Sequence, residues 1–128
     1  MTALLDTQAF LWFVLDDPQL SLTAKRFMED STNELYISPA SYWEIAIKIR
    51  IGKYSLPMPY LAFIESQLSL NAITILPIEP RHTHLLTTIA FHHRDPFDRL
   101  LISQALTEGL VIVSSDETFD LYGVNRLW

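Results

Sequence analysis

Cysteine is absent from the sequence, so it holds no disulfide framework, no thiolate metal centre and no thiol nucleophile. Cations are few: nine Lys and Arg stand against fifteen Asp and Glu, a formal charge of −6. That balance argues against a protein that grips nucleic acid over a broad basic face, where phosphate neutralisation dominates binding, yet it permits a small local basic site. No apolar run is long enough to span a bilayer. The stretch MTALLDTQAFLWFVLDDP has no basic leading region, is interrupted by Asp6 and meets no small-residue cleavage site. It does not read as a signal peptide, and a cytoplasmic location is expected. Repeats and low-complexity segments are missing too.

What is present is a hydrophobic chain, 49% of its 128 residues, expected to fold as a single domain over residues 1–128. That length can bury roughly two thirds of the unfolded surface. ALL before Asp6 predicts a short buried strand, and TQAFLWFVL a buried helix. Ser21 or Thr23 can cap a helix through AKRFMEDS, and ELYIS supplies the next strand. Ser38 then caps PASYWEIAIKIRIGK, with Pro39 in the first helical position and the end near Gly52. A further helix follows the prolines of LPMPYLAFIESQLSL, and AITILPI reads as a strand. Pro80 opens a helix through RHTHLLTTIA, and the loop FHHRD leads into PFDRLLISQALTEG, which Gly109 stops before the strand LVIVSS. DETFDLYG is expected to form a short helical turn, and VNRLW an edge strand or tail. Alternating strands and helices imply right-handed crossovers and a parallel sheet covered on both faces, the α/β class. Ligands of such sheets gather beyond the carboxyl ends of the strands, where strand order reverses.

Asp6 and Asp116 stand at strand ends of that kind. Each also has an ordinary use as a helix cap. In DPFDRLLISQA, Asp95 suits the cap and Pro96 the first turn, while Asp98 either closes a capping-box-like pair or faces something else. Glu44 lies in an otherwise apolar helix, where a carboxylate is costly to bury without a partner; an i,i+4 pair with Lys48 is the simplest one. All four acids can nevertheless point into one crevice. Carboxylates brought that close repel, so they take up a proton or a cation. Oxygen ligands without cysteine select Mg²⁺ or Mn²⁺ rather than zinc. A metal held there suits phosphodiester hydrolysis.

The hydroxyls of Thr7 and Ser114 adjoin two of these acids and can hydrogen-bond a carboxylate or metal-bound water, or act as caps. Lys48, Arg50 and Lys53 crowd one segment, while Arg94 and Arg99 flank the acidic stretch. Arg94, Lys48 and Arg50 are candidates for the phosphate backbone; Arg99 either joins them, pairs with Asp98 or faces solvent. The four histidines fall into no zinc spacing. They are read as surface or loop residues, with His92 or His93 available to face a substrate. Trp12, Phe13, Tyr42 and Trp43 exceed what a small core requires, and exposed aromatic patches mark interfaces.

LLDT, SYWEIAIKIRIGK, HHRDPFDRLLISQA and VSSDETF occur in this order across nearly the whole chain. Together they resemble the PIN-domain ribonucleases, and within them the VapC toxins of bacterial toxin–antitoxin pairs. The resemblance implies a Rossmann-like α/β/α sandwich with a central parallel sheet. It also implies a Mg²⁺- or Mn²⁺-dependent endoribonuclease neutralised by a cognate antitoxin, and a homodimer. Matched residue by residue, Asp6, Glu44, Asp98 and Asp116 are the family's four acids. Asp6 and Asp98 would be the closest metal ligands, with Glu44 and Asp116 acting directly or through water. Ser114 stands where the family commonly has Ser or Thr near the fourth acid. Asp95 then reads as the cap and Asp98 as the acid that the helix delivers. Ser103 departs from the small apolar residue often found at its position.

Other readings of the same acids are a metal-dependent phosphatase acting on a small molecule and an inactive PIN-like module that binds proteins. A phospho-acceptor signalling domain fits poorly, because the middle strands end at YISPA and TILPI without Asp and no Lys follows Lys53.

Overall fold

The computed structural model describes residues 1–128. Its strands are β1 (Thr2–Leu5), β2 (Glu34–Ile37), β3 (Ile73–Ile75), β4 (Val111–Val113) and β5 (Arg126–Leu127). The helices are α1 (Thr7–Val14), α2 (Leu22–Glu29), α3 (Pro39–Arg50), α4 (Tyr60–Leu70), α5 (Pro80–Leu85) and α6 (Pro96–Glu108), with a 3-10 helix over Glu117–Tyr122. Most helix starts follow from local chemistry. Ser21 rather than Thr23 caps α2, its hydroxyl accepting the Ala24 N–H at 3.1 Å. Ser38 accepts the Ala40 N–H at 3.1 Å, just before Pro39. At the end of α6, Gly109 adopts φ 66°, a left-handed conformation that glycine reaches without strain.

All five strands are parallel, in the order β3-β2-β1-β4-β5. The chain lays down β1, β2 and β3 towards one edge and returns to place β4 on the other side of β1. Strand order therefore reverses between β1 and β4, and a crevice opens beyond their carboxyl ends. Side chains alternate across the sheet and divide the core in two. Ala3, Leu5 and Val113 join Phe10, Ile45 and Phe63 under α1, α3 and α4. Leu4 and Ile112 join Leu101, Ile102 and Phe119 under α6 and the 3-10 helix. The result is the α/β sandwich with helices on both faces.

Of the two readings of VNRLW the edge strand holds, with Arg126–Leu127 paired to β4. Two features differ from the sequence reading: the helix opened by Pro80 stops at Leu85 instead of running through Ala90, and His82, expected at the surface, is fully buried. Its ring replaces the usual Glu of a capping box: Nδ1 accepts the Glu79 N–H at 2.9 Å, while Nε2 meets Glu108 Oε1 at 2.8 Å. Arg81 reaches both Glu79 and Glu108. Ser103 explains its own departure, since its hydroxyl donates to the buried His82 carbonyl. A small apolar side chain there would leave that oxygen without this donor. No helix is long and apolar enough to cross a membrane.

Candidate active site

Asp6 leaves β1 with its backbone N–H on the Val113 carbonyl at 3.1 Å, which locks the ends of β1 and β4 together. Its Oδ1 accepts the Ala9 N–H at 2.7 Å and caps α1. Only 8% of the residue is exposed. Asp116 leaves β4 two residues after Ser114, whose buried hydroxyl accepts the Asp116 N–H at 3.0 Å. Asp116 Oδ1 caps the 3-10 helix through the Thr118 N–H at 3.0 Å. At α6, Asp95 Oδ1 accepts the Phe97 N–H at 2.8 Å and the Asp98 N–H at 3.4 Å. With Asp95 capping the helix, Asp98 is left to face the crevice. Glu44 on α3 is buried beside Lys48, whose Nζ lies 3.4 Å from Oε2. The i,i+4 pair therefore forms, and it does so within the crevice.

Asp6, Glu44, Asp98 and Asp116 line a single crevice, with Asp95 and Lys48 beside them. Capping and convergence are thus not alternatives: Asp6 and Asp116 each spend Oδ1 on a cap and still line the crevice. Burial pushes the Asp6 carboxyl up to about 6, against the Ser114 hydroxyl and the Ala9 N–H, with the charges of Asp116 and Glu44 adding to the rise. Burial also pushes Asp98 up to about 7, helped by Asp95, Glu44 and Asp6 and opposed by His93. Asp116 is also raised by burial, but the His93 ring and Thr118 more than offset this and hold it below the usual carboxylate range. Near neutral pH Asp98 is thus partly protonated while Asp6 is mostly ionised, and an ion binding there would displace the proton that remains. An all-carboxylate first layer fits a hard divalent cation.

The remaining candidates are placed unevenly. Ser114 lies next to Asp6 and Asp116. Thr7 lines the crevice, but its hydroxyl donates to Ser41 at 3.1 Å, not to a carboxylate. Lys48 stays at the crevice, its Nζ 5.3 Å from the centre of the Tyr54 ring. Arg50 and Arg94 are exposed. Arg99 neither faces solvent nor pairs with Asp98. It is 7% exposed, its guanidinium donating to the Ala90 carbonyl at 2.9 Å and lying 3.8 Å from the centre of the Phe91 ring. A cation so committed to the 90–91 backbone and side chain is a brace for the loop. Among the aromatics, Trp43 is 58% exposed, whereas Trp12 packs on Trp128.

Sequence reasoning undervalued His93. Its Nε2 lies 2.8 Å from Asp116 Oδ2, and a ring nitrogen and carboxylate oxygens of Asp98 and Asp116 all fall within 4.8 Å of one another. His92 is exposed and packs edge-on to Tyr122, the ring on which His93 stacks. The signal available was the spacing of Asp116, Phe119 and Tyr122, which a 3-10 turn aligns.

Comparison with solved structures finds likeness along the whole length. VapBC2 from Rickettsia felis, bound to a DNA fragment from its promoter, matches with a TM-score of 0.68 at 15% identity over 100% of both chains. VapBC-1 from nontypeable Haemophilus influenzae matches at 0.66 and 18%, over 98% of this chain and 96% of that one. VapBC-5 from Mycobacterium tuberculosis, a member of the VapBC family of toxin–antitoxin systems, matches at 0.60 and 13% over 98% and 96%. At such identities the likeness is one of fold. The curated proteins contain no match to the sequence. The PIN domain model, however, matches residues 3–125, a span that holds Asp6, Glu44, Asp98 and Asp116, and the chain belongs to the PIN domain family.

Proposed function

We propose that the chain is a Mg²⁺- or Mn²⁺-dependent endoribonuclease toxin restrained by a cognate antitoxin. The observation that carries this reading is the convergence of Asp6, Glu44, Asp98 and Asp116 on one crevice, with Asp6 and Asp98 pushed up to about 6 and about 7. Family membership supports nuclease chemistry at such a site. The likeness to VapBC structures supports the toxin role and the antitoxin partner.

Asp6 and Asp98 would hold the ion, with Glu44 and Asp116 completing its surroundings directly or through water. When bound, the ion polarises a phosphate oxygen and lowers the pKa of water for in-line attack on phosphorus. The chain supplies the rest. The β1–β4 junction fixes Asp6 against Asp116, and Asp95 fixes the helix turn that carries Asp98. Lys48 limits repulsion at Glu44. Arg94, Arg50 and Lys48 would meet the RNA backbone as Ser114 supports Asp6 and Asp116 from behind; Thr7 is held by Ser41 and Arg99 acts on the loop instead. So few cations suit one RNA shape or loop rather than a long strand. A homodimer is supported by Trp43, Ile47 and Ile51, a stripe at i, i+4 and i+8 of α3 and its cap that is 58%, 38% and 60% exposed. The protein acts in the cytoplasm as one PIN domain over residues 1–128, with no membrane role.

The test sets total cellular RNA beside p-nitrophenyl phosphate, each with the antitoxin-free protein and Mg²⁺ or Mn²⁺. Discrete RNA fragments and no phosphatase turnover are expected. Phosphatase turnover with intact RNA would favour the small-molecule reading, and no turnover of either substrate would favour the protein-binding module.

A further inference from the structure

The last helical turn presents one face to His93. A 3-10 helix has three residues per turn, so its cap Asp116 and residues Phe119 and Tyr122 eclipse one another. All three meet the His93 ring: Asp116 Oδ2 at 2.8 Å from Nε2, Phe119 with ring centres 4.9 Å apart, and Tyr122 stacked at 5.5 Å and 22°. The His93 side chain is 10% exposed.

The hydrogen bonds determine the tautomer. Tyr122 Oη accepts the backbone N–H groups of His92 and His93, at 2.9 and 2.7 Å. Neither donor can reverse its role, so both lone pairs of the hydroxyl are filled. Its single proton goes to the remaining neighbour, His93 Nδ1 at 3.2 Å. A neutral ring that accepts at Nδ1 carries its proton on Nε2, and that proton is donated to Asp116 Oδ2. With Thr118 on Oδ1, both oxygens of Asp116 are oriented by donors.

We propose that His93 is a positioning residue of the cleavage site: its Nε2–H, aligned by Tyr122 and Phe119, fixes the Asp116 carboxylate and so sets the affinity for the divalent ion. The proposal rests on the metal-nuclease reading. It reverses the familiar arrangement in which a carboxylate orients a ligating histidine.

The experiment strips the full-length protein of metal and titrates it with Mn²⁺ alone by calorimetry, comparing wild type with His93→Gln and His93→Asn. A Gln amide nitrogen reaches the Nε2 position, whereas that of Asn stops near Nδ1. His93→Gln is expected to bind Mn²⁺ close to wild type, and His93→Asn to bind about tenfold or more weakly. Equal affinity in all three proteins overturns the proposal. Equal loss in both variants also overturns it, because it marks His93 as a direct ligand or a structural support. Absence of Mn²⁺ binding by wild type removes the metal-nuclease reading and the proposal together, a result distinct from either. Should His93→Asn fail to fold, nitrogen NMR of the metal-free protein still decides the matter. Wild type is expected to show the Nε2–H tautomer and Tyr122→Phe to lose that preference; an Nδ1–H tautomer in wild type overturns the proposal.

Discussion

At the scale of the residue, the acids of the crevice work against the fold. Asp6 and Asp98 titrate at about 6 and about 7 in the folded chain, well above their ordinary value of 3.8, first because of burial and then because of their acidic neighbours. The folded state therefore binds more protons than the unfolded chain between about pH 4 and 7, and stability falls as pH rises through that window. Asp116 and Asp30 are lowered instead, so their opposite contribution is confined to the low end of the window, where the unfolded chain still protonates them. The penalty at neutral pH is on the order of a few kcal/mol, reduced by solvent screening at the half-buried Asp98. Urea denaturation with chelator should show the midpoint falling from pH 4.5 to 7.5, and saturating Mg²⁺ should restore it at pH 7.5. A metal-free midpoint that rises over this range would contradict the assignment. The acids themselves were legible from residue type and position alone. Arg99 and His82 were not, because their burial depends on partners 9 and 26 residues away, Ala90 and Glu108.

At the scale of the element, caps and breakers did most of the work. Ser38 with Pro39, Asp95 with Pro96 and Gly109 each marked a boundary that the structure keeps to within a residue or two. The α5 end was harder to read, since its hydrogen bonds continue as turns after Leu85. Two substitutions separate these effects. Gly109→Ala adds a Cβ that meets nothing within 4 Å, so its cost is conformational strain at φ 66° alone. It should lower stability by about 1 kcal/mol without touching the crevice. Ser103→Ala removes the donor from the buried His82 carbonyl and should cost about 1–3 kcal/mol. Denaturant midpoints at constant slope measure both. A neutral Ser103→Ala would mean that the His82 carbonyl is satisfied in another way.

At the scale of the whole molecule, strand order does what no single motif can. Placing β4 beside β1 brings residues 6 and 116 together, and α3 and α6 add Glu44 and Asp98 from either side. Parallel order was inferable from alternation; the sides from which helices deliver their acids emerged only with the packing. The molecule also leaves Trp43, Ile47 and Ile51 in solvent. If a second copy covers them, light scattering should give twice the 14.8 kDa chain mass, and Ile47→Glu should shift the protein to monomer while its unfolding stays cooperative. A monomeric wild type across micromolar concentrations would remove the homodimer.

Asp98 carries both consequences at once, since it is costly to the fold and is proposed to act in the reaction. Measuring both consequences in one variant tests this. Asp98→Asn should be more stable than metal-free wild type at pH 7.5, since it removes a buried charge from among other acids. With Mg²⁺ or Mn²⁺ it should cleave total cellular RNA at least about a thousandfold more slowly, the scale of several kcal/mol of lost transition-state stabilisation. Near wild-type cleavage by folded Asp98→Asn, or RNA left intact by wild type itself with either metal, would contradict the account.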